Sequence, residues 1–357
     1  MVRGIMAFFG ITREVIEFIS VHPQADRLEI AKCRGLGFQM VVPKGMYQVG
    51  QEVLYIPVDS LLPRELSDQL GVTKFLAGAQ HNRVKTVQLR LEPSQGILAD
   101  PAILISRGIA LTAAPEEITS ALGVTKYEPP IKITSGGNLV PLPPGISIYD
   151  IEGAERVPEM YTALLDQPVV ITEKLEGTNI SVYINLESGE TFINQRSNAI
   201  VCAPGEMNSY CETAVKAGMV EAAKTLRSLL PKEDQFLAIY GEMLGPGING
   251  NIYEFKDLQI RIYDMRILRH FFPWQQMREF ALQTGLPLVP VISEGPTLRE
   301  WLAGRTLVQA SSGLSAINPK TLREGVVIKP LQEQRVRGVG RLIIKQRDPV
   351  YLAKTGN

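Results

Sequence analysis

Cysteine is scarce and unpaired here: Cys33, Cys202 and Cys211 are odd in number and form no CxxC pair, which argues against a disulfide framework and a structural zinc site. Net charge is missing as well. The 37 Lys and Arg offset 37 Asp and Glu, so no global field marks the chain for nucleic acid, and any basic site must be local. Long apolar runs are lacking, and residues 1–10 are too short and glycine-broken for a signal peptide or membrane span. A cytoplasmic protein in a reducing compartment, without a membrane partner, is the expectation. Neither a Rossmann nor a P-loop fingerprint occurs, because Gly-Pro-Gly-Ile-Asn-Gly at 245–250 lacks the lysine and the strand-turn-helix setting.

What is present is length and apolar content. With 357 residues, 45% of them hydrophobic, the chain exceeds one compact core and reads as two domains. Up to residue 128, short strands at 13–20, 27–33, 38–42, 52–56 and 84–91 alternate with turns marked by Gly35, Gly37, Gly45 and Gly50. That pattern predicts a small OB-like β-barrel over 1–128. The run His81-Asn82-Arg83-Val84-Lys85 is either a nucleic-acid surface or a solvated polar face. Proline and glycine crowd 129–148, which reads as a linker. From 149 to 357 the spacing predicts an α+β domain of antiparallel sheets flanked by helices. Its elements are a hairpin (179–186 and 190–194, turning at Glu187-Ser188-Gly189), a helix at 207–230, and strands at 236–240 and 258–268. A helix at 274–283, a strand at 286–292, a helix at 297–303 and strands at 325–329 and 341–344 follow.

The chemistry centres on Glu173-Lys174-Leu175-Glu176-Gly177-Thr178-Asn179, which follows the apolar run Val169-Val170-Ile171-Thr172. A lysine at the end of a buried strand, flanked by carboxylates and a glycine, can serve as a nucleophile once its amine is neutral; the alternative is a solvated strand end. Downstream, Glu242, Glu324, Lys345 and Arg347 each adjoin an apolar strand. One such residue reads as a strand cap. Four of them, in an order that suits one reaction, read as a site.

That order resembles the covalent nucleotidyltransferases, the superfamily of ATP-dependent polynucleotide ligases and capping enzymes. Lys174-Leu175-Glu176-Gly177 is similar to the nucleophile motif, Asn194-Gln195-Arg196-Ser197-Asn198 to the basic element after it, and Gly241-Glu242-Met243-Leu244-Gly245 to the third motif. Residues 260–265 resemble the aromatic-aspartate strand, Glu324-Gly325-Val326-Val327-Ile328-Lys329 the fourth motif, and Ile344-Lys345-Gln346-Arg347 the terminal basic one. Glu176, where DNA ligases and capping enzymes favour aspartate, and Asn179, where they commonly carry arginine, are similar to RNA ligases of the nick-sealing type. An N-terminal OB domain resembles one branch of these.

The resemblance implies an ATP-grasp-like adenylyltransferase domain, with ATP and Mg2+ or Mn2+ as cofactors. Lys174 would attack the α-phosphorus as a neutral amine, its pKa depressed by Lys345, Lys329 or a metal. Lys345 and Arg347 would neutralise phosphate charge, and Glu324 would face the metal or the lysine. Glu242 would accept from ribose hydroxyls, Glu176 would orient the ribose or the lysine, and Tyr263 would stack on adenine. Arg196 and Asn179 would grip phosphates, and Glu173, Gly177 and Lys329 complete the nucleotide-binding set. RNA or a nicked duplex containing RNA is the implied partner, DNA an alternative one, and a monomer the expected state. A DNA-ligase or capping-type transferase and a non-catalytic nucleic-acid-binding module are the competing readings.

Overall fold

Alternation of apolar and polar residues makes Thr12–Val21 (β1) one long strand. A bulge between Ile16 and Phe18 lets its first half pair with Glu52–Ile56 (β4) and its second with Leu28–Cys33 (β2). Met40–Pro43 (β3) extends the sheet beyond β2. A tight hairpin, Val87–Leu89 (β5) and Glu92–Ser94 (β6), precedes Ile97–Ala99 (β7), which pairs with β4, so the sheet order is β3-β2-β1-β4-β7. Ile16, Ala31, Met40, Val42, Val53 and Leu98 fill one side of it. On the other side Leu54, Ile56 and Ala99 meet short helices through Leu66, Leu104 and Ile118. The chain is described here by a computed structural model covering residues 9–355, except 37, 79, 128–137, 144, 147, 202–207, 234, 269 and 338.

The strand predicted at 84–91 is shorter than expected, because Arg90 and Leu91 take φ of +48° and +73° and turn the chain. Of the basic residues there, Arg83 is engaged: it donates to Asp59 at 2.6 Å and lies 3.6 Å over the Tyr127 ring.

Much of the predicted linker lies outside the described residues, but Asn138–Pro141 (β8) forms the edge of a large sheet. That sheet continues through Thr178–Asn185 (β10), Thr191–Asn194 (β11), Asn198–Val201 (β12), Phe236–Leu244 (β13), Gln259–Ile267 (β14) and His270–Phe271 (β15), in the order β8-β12-β11-β10-β13-β14-β15. The helix predicted at 207–230 is two helices, Ser209–Lys216 (α1) and Met219–Ser228 (α2); Met207 lies outside the described residues. Asn208 caps α1 by accepting from the Cys211 amide, and Gly218 at φ +77° breaks the run. Together with Trp274–Thr284 (α3) they cover one face through Ala214, Met219, Ala223, Trp274 and Met277. Tyr183, Ala238 and Tyr240 sit on the opposite face.

A second sheet carries Lys174 at a strand end. Pro168–Lys174 (β9) pairs antiparallel with Val291–Thr297 (β16) and Gly325–Pro330 (β17), and β17 pairs with Ile344–Arg347 (β18). The strand predicted at 286–292 therefore begins only at Val291, and the one predicted at 341–344 begins at Ile344, which puts Lys345 and Arg347 on a strand instead of after one. Val169, Ile171, Val326, Ile328 and Ile344 share a core on one face. The final described helix, Pro349–Thr355 (α4), packs against β5 and β6. Among the described residues no helix is long and apolar enough to cross a membrane.

Candidate active site

Period-two geometry decides which side chains meet. On β9 the core takes Val169 and Ile171, which leaves Lys174 on the face turned away from that core. Lys345 and Arg347 alternate with core-facing Ile344, so they share the lysine's face of the sheet. Gly325 is the direct partner of both Lys174 and Arg347, and a Cβ on it would stand 2.1 Å from the Gln346 carbonyl oxygen. Only glycine lets these strands close.

Glu324 precedes that glycine and accepts from Lys174 Nζ at 2.6 Å. The pair is sheltered, with side chains 23% and 8% exposed. Two more carboxylates face the lysine. Glu242 reaches it from β13, opposite Asn179, and Glu176 from the turn after β9. Gly177 makes that turn possible: a Cβ there would lie 2.6 Å from Glu242 Cγ and from the Met243 carbonyl oxygen.

Charge in this group is strongly perturbed. Burial pushes the Glu242 carboxyl up to about 8, Lys174 opposing and Glu324 and Glu176 adding to the rise. Glu176 is pushed up to about 7, again by burial first and then by Glu324. Burial works to lower the Lys174 ammonium, but Glu324, Glu242 and Glu176 together hold it above its ordinary value. The expected depression by Lys345 or Lys329 is therefore not what this arrangement gives. Lys329 lies four strand residues away from Gly325, roughly 13 Å along β17. It donates instead to Asp264 at 3.0 Å.

Asp264 is the hub of a second buried cluster. Fully buried on β14, it also accepts from Tyr149 Oη at 2.7 Å and from Arg341 at 2.5 and 3.2 Å, and Arg341 in turn bonds Glu333 and stacks 3.5 Å over Phe271. Tyr263 is half-buried beside it, with ring centroids 5.2 Å from Tyr149 and 6.3 Å from Tyr240, and its hydroxyl accepts from Asn179 Nδ2. Arg196 and Lys345 converge on Asp150, at 2.9 and 3.6 Å. Burial pushes the Lys345 ammonium down to about 8, with Lys174 and Arg347 adding repulsion and Asp150 opposing.

The structure thus brings together Lys174, Glu176, Gly177, Glu242 and Glu324, with Lys345 and Arg347 on the same face of β9, β17 and β18. Glu173 is not among them. Its odd position turns it away from the lysine's face, where it is 2% exposed and accepts from the Ala316 amide at 2.8 Å. Sequence reasoning missed Tyr149, Asp150, Asn249 and Tyr351, none of which carried a signal; Asp264 was marked only as part of the aromatic-aspartate strand, without a role.

A lysine at a strand end, carboxylates from two sheets and a terminal basic strand, preceded by a small β-sheet module, are the arrangement of the covalent nucleotidyltransferase superfamily. A family model for RNA ligase matches residues 167–347, just over half of the chain, and a model for an OB-fold domain matches 11–101. The chain belongs to the RNA ligase family. Among solved structures, the Naegleria gruberi RNA ligase with PPi is similar over 97% of this chain and 98% of its own, at 22% identity and a TM-score of 0.76. A mutant of that ligase with ATP and Mn is similar over 98% and 100%, at 22% identity and a TM-score of 0.77. A further mutant, with AMP and Mn, covers 96% and 98% at 22% identity and 0.76. At this identity the likeness is one of fold, an α+β chain with an N-terminal OB-fold. No curated protein sequence matches the chain.

Proposed function

We propose that this ligase is ATP-dependent, that it forms a covalent Lys174–AMP intermediate, and that it seals 3′-hydroxyl/5′-phosphate breaks or nicks in RNA, in RNA repair. The observation that carries the reading is Lys174 Nζ held 2.6 Å from Glu324 in a group of three carboxylates. The Naegleria ligase, solved with ATP, AMP and Mn, supports ATP and a divalent cation as the partners of that group.

The donor set fits a cation. Glu176, Glu242 and Glu324 gather at one place, and their mutual repulsion adds to burial in pushing the first two up to about 7 and about 8. Among the described residues no three His, Cys, Asp or Glu cage a metal, so Glu324 would share Mg2+ or Mn2+ with water and phosphate oxygens. Bound there, the cation supplies positive charge that offsets the carboxylate field on Lys174 and the phosphate charge of ATP. Glu324 Oε2 would take the ammonium proton, freeing the Nζ lone pair for the α-phosphorus; the N–P bond forms as the bond from that phosphorus to the bridging oxygen breaks, and pyrophosphate leaves. Lys345 and Arg347, on the same face of the sheet as Lys174, would meet charge growing on the phosphate. Arg196 keeps guanidinium nitrogens other than the Nη2 bound to Asp150 for a phosphate grip. Tyr263 offers a ring for the base, and Glu242 accepts from ribose hydroxyls. Transfer of AMP to a 5′-phosphate and its expulsion by a 3′-hydroxyl complete the reaction.

We assign residues 1–128 to nucleic-acid binding and 149–357 to catalysis, joined through 129–148, in a cytoplasmic monomer. The test is incubation with α-labelled ATP or GTP and Mg2+ or Mn2+, followed by denaturation. Label from ATP that is lost in Lys174→Ala is expected. Label from GTP alone points to a capping-type enzyme, and none from either nucleotide rejects the covalent mechanism. Nicked duplexes with RNA or DNA on the 3′-hydroxyl side then decide the acceptor.

A further inference from the structure

Glu176 is held more firmly than any role inferred for it so far requires. Its Oε1 accepts from Asn249 Nδ2 at 2.8 Å, and the same nitrogen donates to the Gly177 carbonyl at 2.7 Å. Its Oε2 accepts from the Tyr351 hydroxyl at 3.2 Å, and its backbone N–H donates to Tyr253 Oη at 2.8 Å. These partners come from 73 to 175 residues away. Asn249 also takes a φ of +41° in the loop after β13, a backbone state that non-glycine residues seldom adopt. A side chain that bridges a carboxylate and the adjoining carbonyl is poorly explained as a loop filler. Tyr351 sits on α4 and is buried, so its hydroxyl is sheltered from water that would otherwise compete for the carboxylate.

We propose that Asn249 and Tyr351 are positioning residues that clamp the Glu176 carboxylate at the nucleophile during lysyl-adenylate formation, a claim that rests on the ligase reading above. Each donor fixes one oxygen, so the carboxylate has one orientation toward Lys174 instead of several. The clamp is matched to the length of glutamate. An aspartate at 176 would withdraw the carboxylate by one methylene, roughly 1.5 Å, which carries both oxygens beyond hydrogen-bond reach of Asn249 and Tyr351.

The test is single-turnover labelling of the full chain with α-labelled ATP, in the variants Tyr351→Phe, Asn249→Gly and Glu176→Asp. The phenylalanine is isosteric, and glycine accepts the positive φ, so both variants retain the fold. Each should label about 10-fold more slowly at saturating ATP, with the half-saturating ATP concentration within about twofold of the parent. Glu176→Asp should label about as slowly as the Tyr351→Phe/Asn249→Gly double variant. Adding either clamp variant to Glu176→Asp should slow labelling by less than about twofold, since the contact is already lost. A full 10-fold loss persisting in the Glu176→Asp background would overturn the clamp. So would an effect confined to half-saturation, or a Glu176→Asp variant that takes no label. Failure of the parent to label with any nucleotide would instead overturn the ligase reading.

Discussion

The Asp264 cluster allows a worked stability prediction. In Asp264→Ala the substitution leaves Lys329 and Arg341, 5% and 10% exposed, as buried cations, one without a carboxylate and the other with Glu333 alone. Removing one partner of a buried ion pair costs about 3–5 kcal/mol, because the remaining charge keeps its desolvation penalty. At roughly 2–4 °C per kcal/mol for a domain of this size, the midpoint should fall by about 6–20 °C. The control is Asp166→Ala, which removes an equally short pair at 2.8 Å to Arg299 that is 63% and 74% exposed, and should leave the midpoint unmoved. Calorimetry on both variants is the assay. The sign with pH also follows. Burial works to raise the Asp264 carboxyl, but Arg341 and Lys329 hold it below its ordinary 3.8. Its contribution is therefore complete above pH 3.8 and disappears as the pH falls further, so parent and variant midpoints should converge below that point. An Asp264→Ala midpoint equal to that of Asp166→Ala would refute burial as the source of the effect.

Three other outcomes follow. Because Glu176 and Glu242 titrate near 7 and 8, cation or ATP–cation binding at pH 7.5 should drive protons off the pair, and titration calorimetry in buffers of different ionisation enthalpy would read this; heats independent of the buffer would contradict it. Gly177→Ala places a Cβ against the Met243 backbone oxygen, which cannot move aside, so labelling should be lost along with about 1–3 kcal/mol of stability; an active, equally stable variant would disprove the close approach. Burial pushes the Cys33 thiol up to about 12, and it is 1% exposed, so a thiol reagent should modify it only in denaturant, as mass spectrometry of the native and unfolded chain would reveal.

The order of charged residues along the chain pointed to the group that the fold gathers around Lys174, because each one ends or interrupts an apolar strand. Strand alternation could also have removed Glu173 from the set, since adjacent residues of a strand cannot share a face. What stayed hidden depends on contacts between distant segments. Asn249 and Tyr351 look like an ordinary loop residue and an ordinary helical aromatic until the chain closes around Glu176. The expected depression of Lys174 by neighbouring lysines failed for a similar reason: the carboxylates of the turn, of β13 and just before β17 lie nearest and outweigh the effect of burial. The turn at Arg90-Leu91 and the break at Gly218 show the local counterpart. Glycine at a positive φ is legible, whereas arginine and leucine in such a turn carry no warning.

The pairing of β9 also has a consequence for how the protein is made. Both of its neighbours, β16 and β17, and the tyrosine that holds Glu176 lie well over a hundred residues further on. At translation rates of about 5–20 residues per second, Tyr351 leaves the ribosome roughly 9–35 s after Glu176. Until β16 follows, about 6–24 s after β9, Val169, Val170 and Ile171 belong to a strand with two bare edges, the kind of surface that recruits other chains. A nascent chain can therefore display the entire lysine motif before the strands and the hydroxyl that surround it have been made.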